Sequence, residues 1–102
     1  MFVQGQKKEI ADIKTVRFNN TSAITIPAND QNAVYVSTST DITGYQLLGI
    51  VDYEIPNVAN ITVRRIQLDA TPPFISIRNN SASSVTIDIG RAEIQGKYMK
   101  QG

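Results

Sequence analysis

Asp52 and Glu54 stand two residues apart in a run with strand periodicity, which places both carboxylates on one face. A carboxylate pair is what glycoside hydrolysis uses for its acid and its base or nucleophile. A solvated strand face is the simpler account, and a chain of 102 residues leaves little room for a substrate cleft. Asp30, Asp41 and Asp69 offer oxygens of the kind calcium takes, but they are scattered and no Asp-x-Asp-x-Asp-Gly loop joins them, so turn and loop duty accounts for them. Tyr35, Tyr45 and Tyr53 are candidates for stacking on a sugar or carrying an interface. Packing within a core or along a strand edge is the plainer use of all three. Arg64-Arg65 is the one basic pair inside a strand-like run. It suits an ion pair with a neighbour or with another subunit, and its two side chains fall on opposite faces unless the strand is bulged. Tyr35, Tyr45, Arg64 and Arg65 are therefore the candidate interface or glycan contacts. Lys7-Lys8 reads as a solvated end.

The missing residue types exclude more than these candidates suggest. The sequence has no Cys, His or Trp. That removes thiolate nucleophiles, disulfide scaffolds, Cys-based zinc or iron–sulfur sites, imidazole ligands and every His-dependent triad. The six glycines form no phosphate-cradling motif. The expectation is no catalytic residue, no metal and no cofactor. A formal net charge of +1 gives no strong field toward nucleic acid or anionic membrane, so neither is expected as a partner. A nucleic-acid surface would also interleave basic residues with exposed aromatics, and only Tyr35 offers itself, far along the chain from Arg64-Arg65. The start, Met-Phe-Val-Gln-Gly-Gln-Lys-Lys, holds no signal-peptide core, and no apolar run approaches a membrane span. A soluble chain made in the cytoplasm is expected. Asn19, Asn20, Asn60 and Asn79 each begin an Asn-x-Ser/Thr triplet; without a secretion signal they read as loop chemistry.

The elements that must position these groups are strands. Fourteen Ile, eight Val and nine Thr stand against three Leu, a β-branched composition suited to pleated, half-buried surfaces. The length fits one domain, 1–102, of about eight strands. Ile24, Ile26 and Ala28 alternate with Ala23, Thr25 and Pro27, predicting a short or edge strand followed by a turn over Asn29–Asn32. Val34 and Val36 are predicted inward, with Tyr35 and Ser37 outward. Gln46–Ile55 is the strongest run, with Leu47, Val51, Tyr53 and Ile55 on one face. On the other, Leu48 and Ile50 give way to Asp52 and Glu54, so one end is expected covered and the other wet, and Pro56-Asn57 ends the strand. Ile61 and Val63 lie on one parity and Ile66 and Leu68 on the other, so a one-residue bulge at Arg64-Arg65 is predicted to return all four to the core. Ile75 and Ile77 form the next inward face, followed by a hairpin-like loop at Asn79–Ser83. Val85, Ile87 and Ile89 are expected inward, then, after a bulge at Gly90-Arg91 within one long strand, Ala92, Ile94, Gly96 and Tyr98. Glu9–Phe18 mixes helical and strand spacing and is read mostly as strand. The fold class expected is all-β, an antiparallel sandwich of jelly-roll type.

Three stretches carry a family resemblance. Gly44-Tyr45-Gln46-Leu47-Leu48-Gly49-Ile50-Val51-Asp52-Tyr53 resembles the "Gly-Tyr, apolar, Gly, Val, x, Tyr" opening of small virion structural proteins of tailed bacteriophages. Phe74-Ile75-Ser76-Ile77-Arg78-Asn79-Asn80-Ser81 resembles their "apolar-x-apolar-Arg-Asn-x-Ser" hairpin, and Ile87 through Tyr98-Met99-Lys100 is similar to their last strand closing in Tyr-x-Lys. The likeness covers roughly residues 44–100. It implies a jelly-roll or β-sandwich domain in a tail fibre, baseplate or head appendage. It also implies a homotrimer that docks onto other virion proteins and reaches a host-surface glycan in some roles, with no catalytic residue to transfer. The rival expectation is a carbohydrate-binding module using Tyr35 or Tyr45 as its platform; a hydrolase built on Asp52 and Glu54 ranks last.

Overall fold

The computed structural model describes residues 12–56 and 60–101. Lys7-Lys8, the start of the Glu9–Phe18 run and Asn57 lie outside them. Eight strands follow in chain order: β1 (Ile13–Asn19), β2 (Ile24–Ile26), β3 (Gln31–Tyr35), β4 (Tyr45–Glu54), β5 (Ile61–Gln67), β6 (Phe74–Asn79), β7 (Val85–Ile87) and β8 (Glu93–Lys100). All pairings are antiparallel. They form two three-stranded sheets, β1-β8-β4 and β3-β6-β5, and a two-stranded ribbon, β2-β7.

The pairs β1·β8, β2·β7 and β3·β6 are nested, each slipped by only one or two residues from the pair before it. They make one long two-armed ribbon, folded back on itself so that its ends become the facing layers of an all-β, jelly-roll-like sandwich. Strands β4 and β5, from the loop between the arms, both add to the C-terminal arm: β4 beside β8, β5 beside β6. On the opposite side an isolated antiparallel bridge, Asn19 to Ser37, ties the end of β1 to the chain beyond β3.

Alternation decides the core. Val16 and Phe18 of β1, Ile26 of β2, Val34 and Val36 in and after β3, Ile75 and Ile77 of β6, Ile87 of β7, and Ile94 and Tyr98 of β8 are buried in one cluster with Leu68 and Ala92. Each fully buried Ile contributes roughly 1.5–3 kcal/mol through the apolar area it removes from water. The bulge expected at Arg64-Arg65 is present: Val63 pairs with Ile77 and Arg65 with Ser76, leaving Arg64 the extra residue. Ile61, Val63 and Ile66 consequently all pack against the core, and Leu68 beyond them is buried.

Two buried asparagines hold the ribbon's corners. At the bend between β1·β8 and β2·β7, the Asn20 amide nitrogen donates to Ser22 O (3.0 Å) and Asp88 O (2.9 Å), and its side-chain oxygen accepts Ala92 N (3.0 Å). At the next bend, the Asn79 amide nitrogen donates to Ile26 O (3.1 Å), Pro27 O (3.2 Å) and Ser83 O (2.8 Å), while its oxygen accepts Ser81 N and Ser81 Oγ. A bend inside a sandwich interrupts the ladder and strands backbone polar groups away from water. A buried primary amide carries both donors and acceptors and answers that need at one position. Their Asn-x-Ser/Thr context reads as loop chemistry, and the fold gives them this structural duty instead.

Three local expectations are corrected. Asn79–Ser83 does not close a hairpin, since β6 and β7 lie end to end on one arm and pair with different partners. Gly90-Arg91 is not a bulge within one strand: Arg91 N donates to Asp88 O (3.2 Å), closing a tight turn in which Gly90 takes a φ of 78°, a left-handed conformation open to glycine. That turn carries Ile89 out of the core to 64 % exposure, against the inward placement expected. Third, β4 does not bury its apolar face. Only Leu47, with Tyr45 and the following Ile55, packs on the core, while Val51 and Tyr53 are exposed.

Candidate interaction edge

The exposure of β4 follows from its position and its bulges. It is the outer strand of its sheet, with β8 its single ladder partner. Its register with β8 shifts between Leu47 and Gly49 and again between Ile50 and Asp52, so Leu48 and Val51 are extra residues. Each bulge inserts a residue with no partner and increases the local twist, which re-aims the side chains that follow. Between Leu47 and Ile55, which both pack on the core, the strand's large side chains are exposed. Leu48 (48 % exposed), Ile50 (38 %), Val51 (49 %) and Tyr53 (46 %) form an apolar run on the molecule's edge, interleaved and followed by the exposed carboxylates Asp52 and Glu54. Isolated apolar side chains on a surface need no explanation, whereas several exposed on one outer strand make that strand the candidate interaction edge.

Strand β5 is the matching outer strand of the other sheet. Its bulge sets Arg64 and Arg65 side by side at the surface, both exposed, between the half-buried Val63 and Ile66. The β4 and β5 edges flank the same arm of the ribbon, one in each layer. Among the described residues the one ion pair is Arg17–Glu93 (3.4 Å), so Asp52, Glu54, Arg64 and Arg65 have no charged partner within salt-bridge distance.

Three outward amides on the outer strands β3 and β4 are occupied locally. Val36 N donates to Pro73 O across the β3·β6 pair, so the alternating amides of Gln31 and Ala33 face the open side of β3. They donate instead to Asp30 Oδ1 (2.8 Å) and Asn32 Oδ1 (3.0 Å). On β4, Tyr53 N donates to Asp52 Oδ1 (2.8 Å). Such caps, together with the bulges, oppose further strand addition at an otherwise open edge. On the β4 edge the cap on Tyr53 N and the two bulges disfavour pairing with a further strand.

No family model, curated protein or solved structure matches the chain.

The remaining candidates lie apart. Tyr35, 58 % exposed on β3, belongs to the sheet opposite Tyr45. Its ring meets Phe74 edge-on at 6.3 Å and 72°, and it borders a shallow, mostly apolar pocket of about 270 Å³ with Ser22, Ile24 and Asn32. Tyr45 is committed within its own sheet. Its hydroxyl donates to Asp12 Oδ2 (2.6 Å), Lys14 Nζ lies 4.1 Å over its ring, and Lys14 also donates to Asp41 O (3.0 Å). The carboxylate of Asp12, accepting that hydrogen bond, raises the Tyr45 phenol above its usual range. The hydrogen bonds from Thr43 hold Asp41 below the ordinary carboxylate range. This group stitches β1 to the start of β4 around the end of β8, leaving one ring face of Tyr45 covered. Asp52 spends one oxygen on the Tyr53 amide, and Glu54 instead borders a cleft of about 290 Å³ with Arg91 and Glu93. Among the described residues no three acidic side chains converge as a metal site would require. Leu48, Ile50 and Val51 were missed from the sequence as site residues. Their alternation reads Leu48 and Ile50 as the covered end of a face whose other end, at Asp52 and Glu54, is wet, and Val51 as part of the inward face.

Proposed function

We propose that this chain is a non-enzymatic structural protein of a bacteriophage virion, a part of a tail fibre, baseplate or head appendage that works by self-association and by docking to other virion proteins. The observation that carries the reading is the β4 edge, where Leu48, Ile50, Val51 and Tyr53 stand exposed on an outer strand whose neighbours pack a closed core. The sequence resemblance supplies the virion context and the trimer as the favoured assembly. Sedimentation velocity over a wide concentration range tests the self-association. A concentration-dependent oligomer is expected, and a chain that stays monomeric at the highest concentration removes the reading.

A second reading has its own observation. The exposed Tyr35 ring, steadied by Phe74 and flanked by Asn32 and Ser22, has the form of a small glycan platform. Glycan-array binding lost in Tyr35→Ala is its expected result; silence across the array refutes it.

A further inference from the structure

We infer that the β4 edge docks against the β5 edge of a second copy of this chain, through apolar packing registered by Asp52 and Glu54 against the partner's Arg64 and Arg65. This rests on the self-association proposed above and names its surface. Three observations select β5 as the occupant. First, the two edges have opposite charge: β4 carries only acidic charges from Leu48 to Glu54, and β5 carries only basic ones. Within one copy those four groups form no ion pair. Second, bulges on both strands and the cap on Tyr53 N disfavour ladder extension, so the contact is made by side chains. Arginine fits such a contact, since its stem covers apolar surface and its planar head stacks on an aromatic ring such as Tyr53. Third, both edges flank the C-terminal arm of the ribbon, so each copy presents an acidic-apolar ridge and a basic ridge along one side. Laying β4 on another β4 would bring Asp52 and Glu54 against their own like charges, a juxtaposition that interfaces avoid. The same contact serves two copies exchanging edges or three closing a ring.

The test is charge reversal read by sedimentation of the full chain, with circular dichroism confirming that each variant is folded. Asp52→Arg with Glu54→Arg makes both edges basic, and Arg64→Glu with Arg65→Glu makes both acidic. Each double variant is expected to weaken association about tenfold or more, and wild-type association is expected to weaken with added salt. The fourfold variant carrying all these changes restores opposite charges across the contact, and its association is expected to return toward wild type. Double variants that associate like wild type, or a fourfold variant that stays as weak as the doubles, overturn this contact while leaving self-association standing. A wild-type chain that never associates overturns both.

Discussion

Truncating Asn79 should unfold this domain more readily than truncating any exposed asparagine, by a margin set by its hydrogen bonds. Asn79 is fully buried, and its amide serves three carbonyls and two donors of Ser81. In Asn79→Ala the two amide N–H groups shared among Ile26 O, Pro27 O and Ser83 O disappear, and Ser81 N loses its acceptor. Each net hydrogen bond contributes about 1 kcal/mol, and each buried group left unpaired costs about 1–3 kcal/mol. A total loss of about 3–4 kcal/mol follows, a large part of the roughly 5–15 kcal/mol that holds a domain of this size. At about 4–8 °C per kcal/mol, the melting temperature should fall by about 12–32 °C. Asn80→Ala is the control. Its amide donates to Thr62 Oγ1 and accepts from Arg78 Nε, both exposed, and its loss should stay near 0.5 kcal/mol or less, as for ordinary surface changes. Urea titrations followed by circular dichroism report both variants, with an unchanged slope showing that stability alone has moved. Asn79→Ala and Asn80→Ala agreeing within about 1 kcal/mol would refute the corner's role. Asn79→Asp adds a pH signature. Burial and three facing carbonyls raise a carboxyl there above its unfolded value near 3.9. The native state then binds more protons than the unfolded one, so this variant is most stable at acid pH and loses stability as pH rises through that raised value.

Three further outcomes follow from the packing and the charges. Gly96 lies where an added Cβ would sit 2.6 Å from Leu68 Cδ1 and 3.1 Å from Tyr98 Cε1, so Gly96→Ala should cost about 1–3 kcal/mol by overpacking. Denaturant unfolding should show Leu68→Ala partly rescuing it, the double variant being less destabilised than the two singles added, by at least about 0.5 kcal/mol. Burial, aided by the charge of Asp69, raises the Tyr98 phenol, so its stabilising contribution is full below the usual phenol range and is lost as pH rises through the raised value; alkaline unfolding should become shallower in Tyr98→Phe. Asp41 is held low by Thr43, so its contribution is present above the unfolded carboxylate value and lost as pH falls through its depressed one; NMR titration should place its midpoint below that of free aspartate, and Thr43→Val should move it upward.

Alternation made much of this sandwich legible, because a period of two states which side chains share a face. Val34 with Val36, Ile75 with Ile77, and Ile94 with Tyr98 are inward as their spacing predicts. The parity fault at Arg64-Arg65 announced a real bulge, since four apolar residues could reach one core no other way. Periodicity cannot state whether a face, once defined, is covered. That depends on which strands pair, and β4 is an outer strand because β5 joins β6 instead of continuing beside it. The buried asparagines were hidden for a related reason. Asn20 and Asn79 resemble the exposed Asn60 in their Asn-x-Ser/Thr context, and only the nested pairing brings two chain bends together around them. The misreading of β4 is nevertheless the informative one. Alternation predicts Leu47, Val51, Tyr53 and Ile55 inward and the Leu48–Ile50 end of the other face covered, and the folded chain packs only Tyr45, Leu47 and Ile55 on the core. The residues from Leu48 to Tyr53 carry a burial signal that one copy does not satisfy, and a surface supplied by another molecule is the direct way to satisfy it.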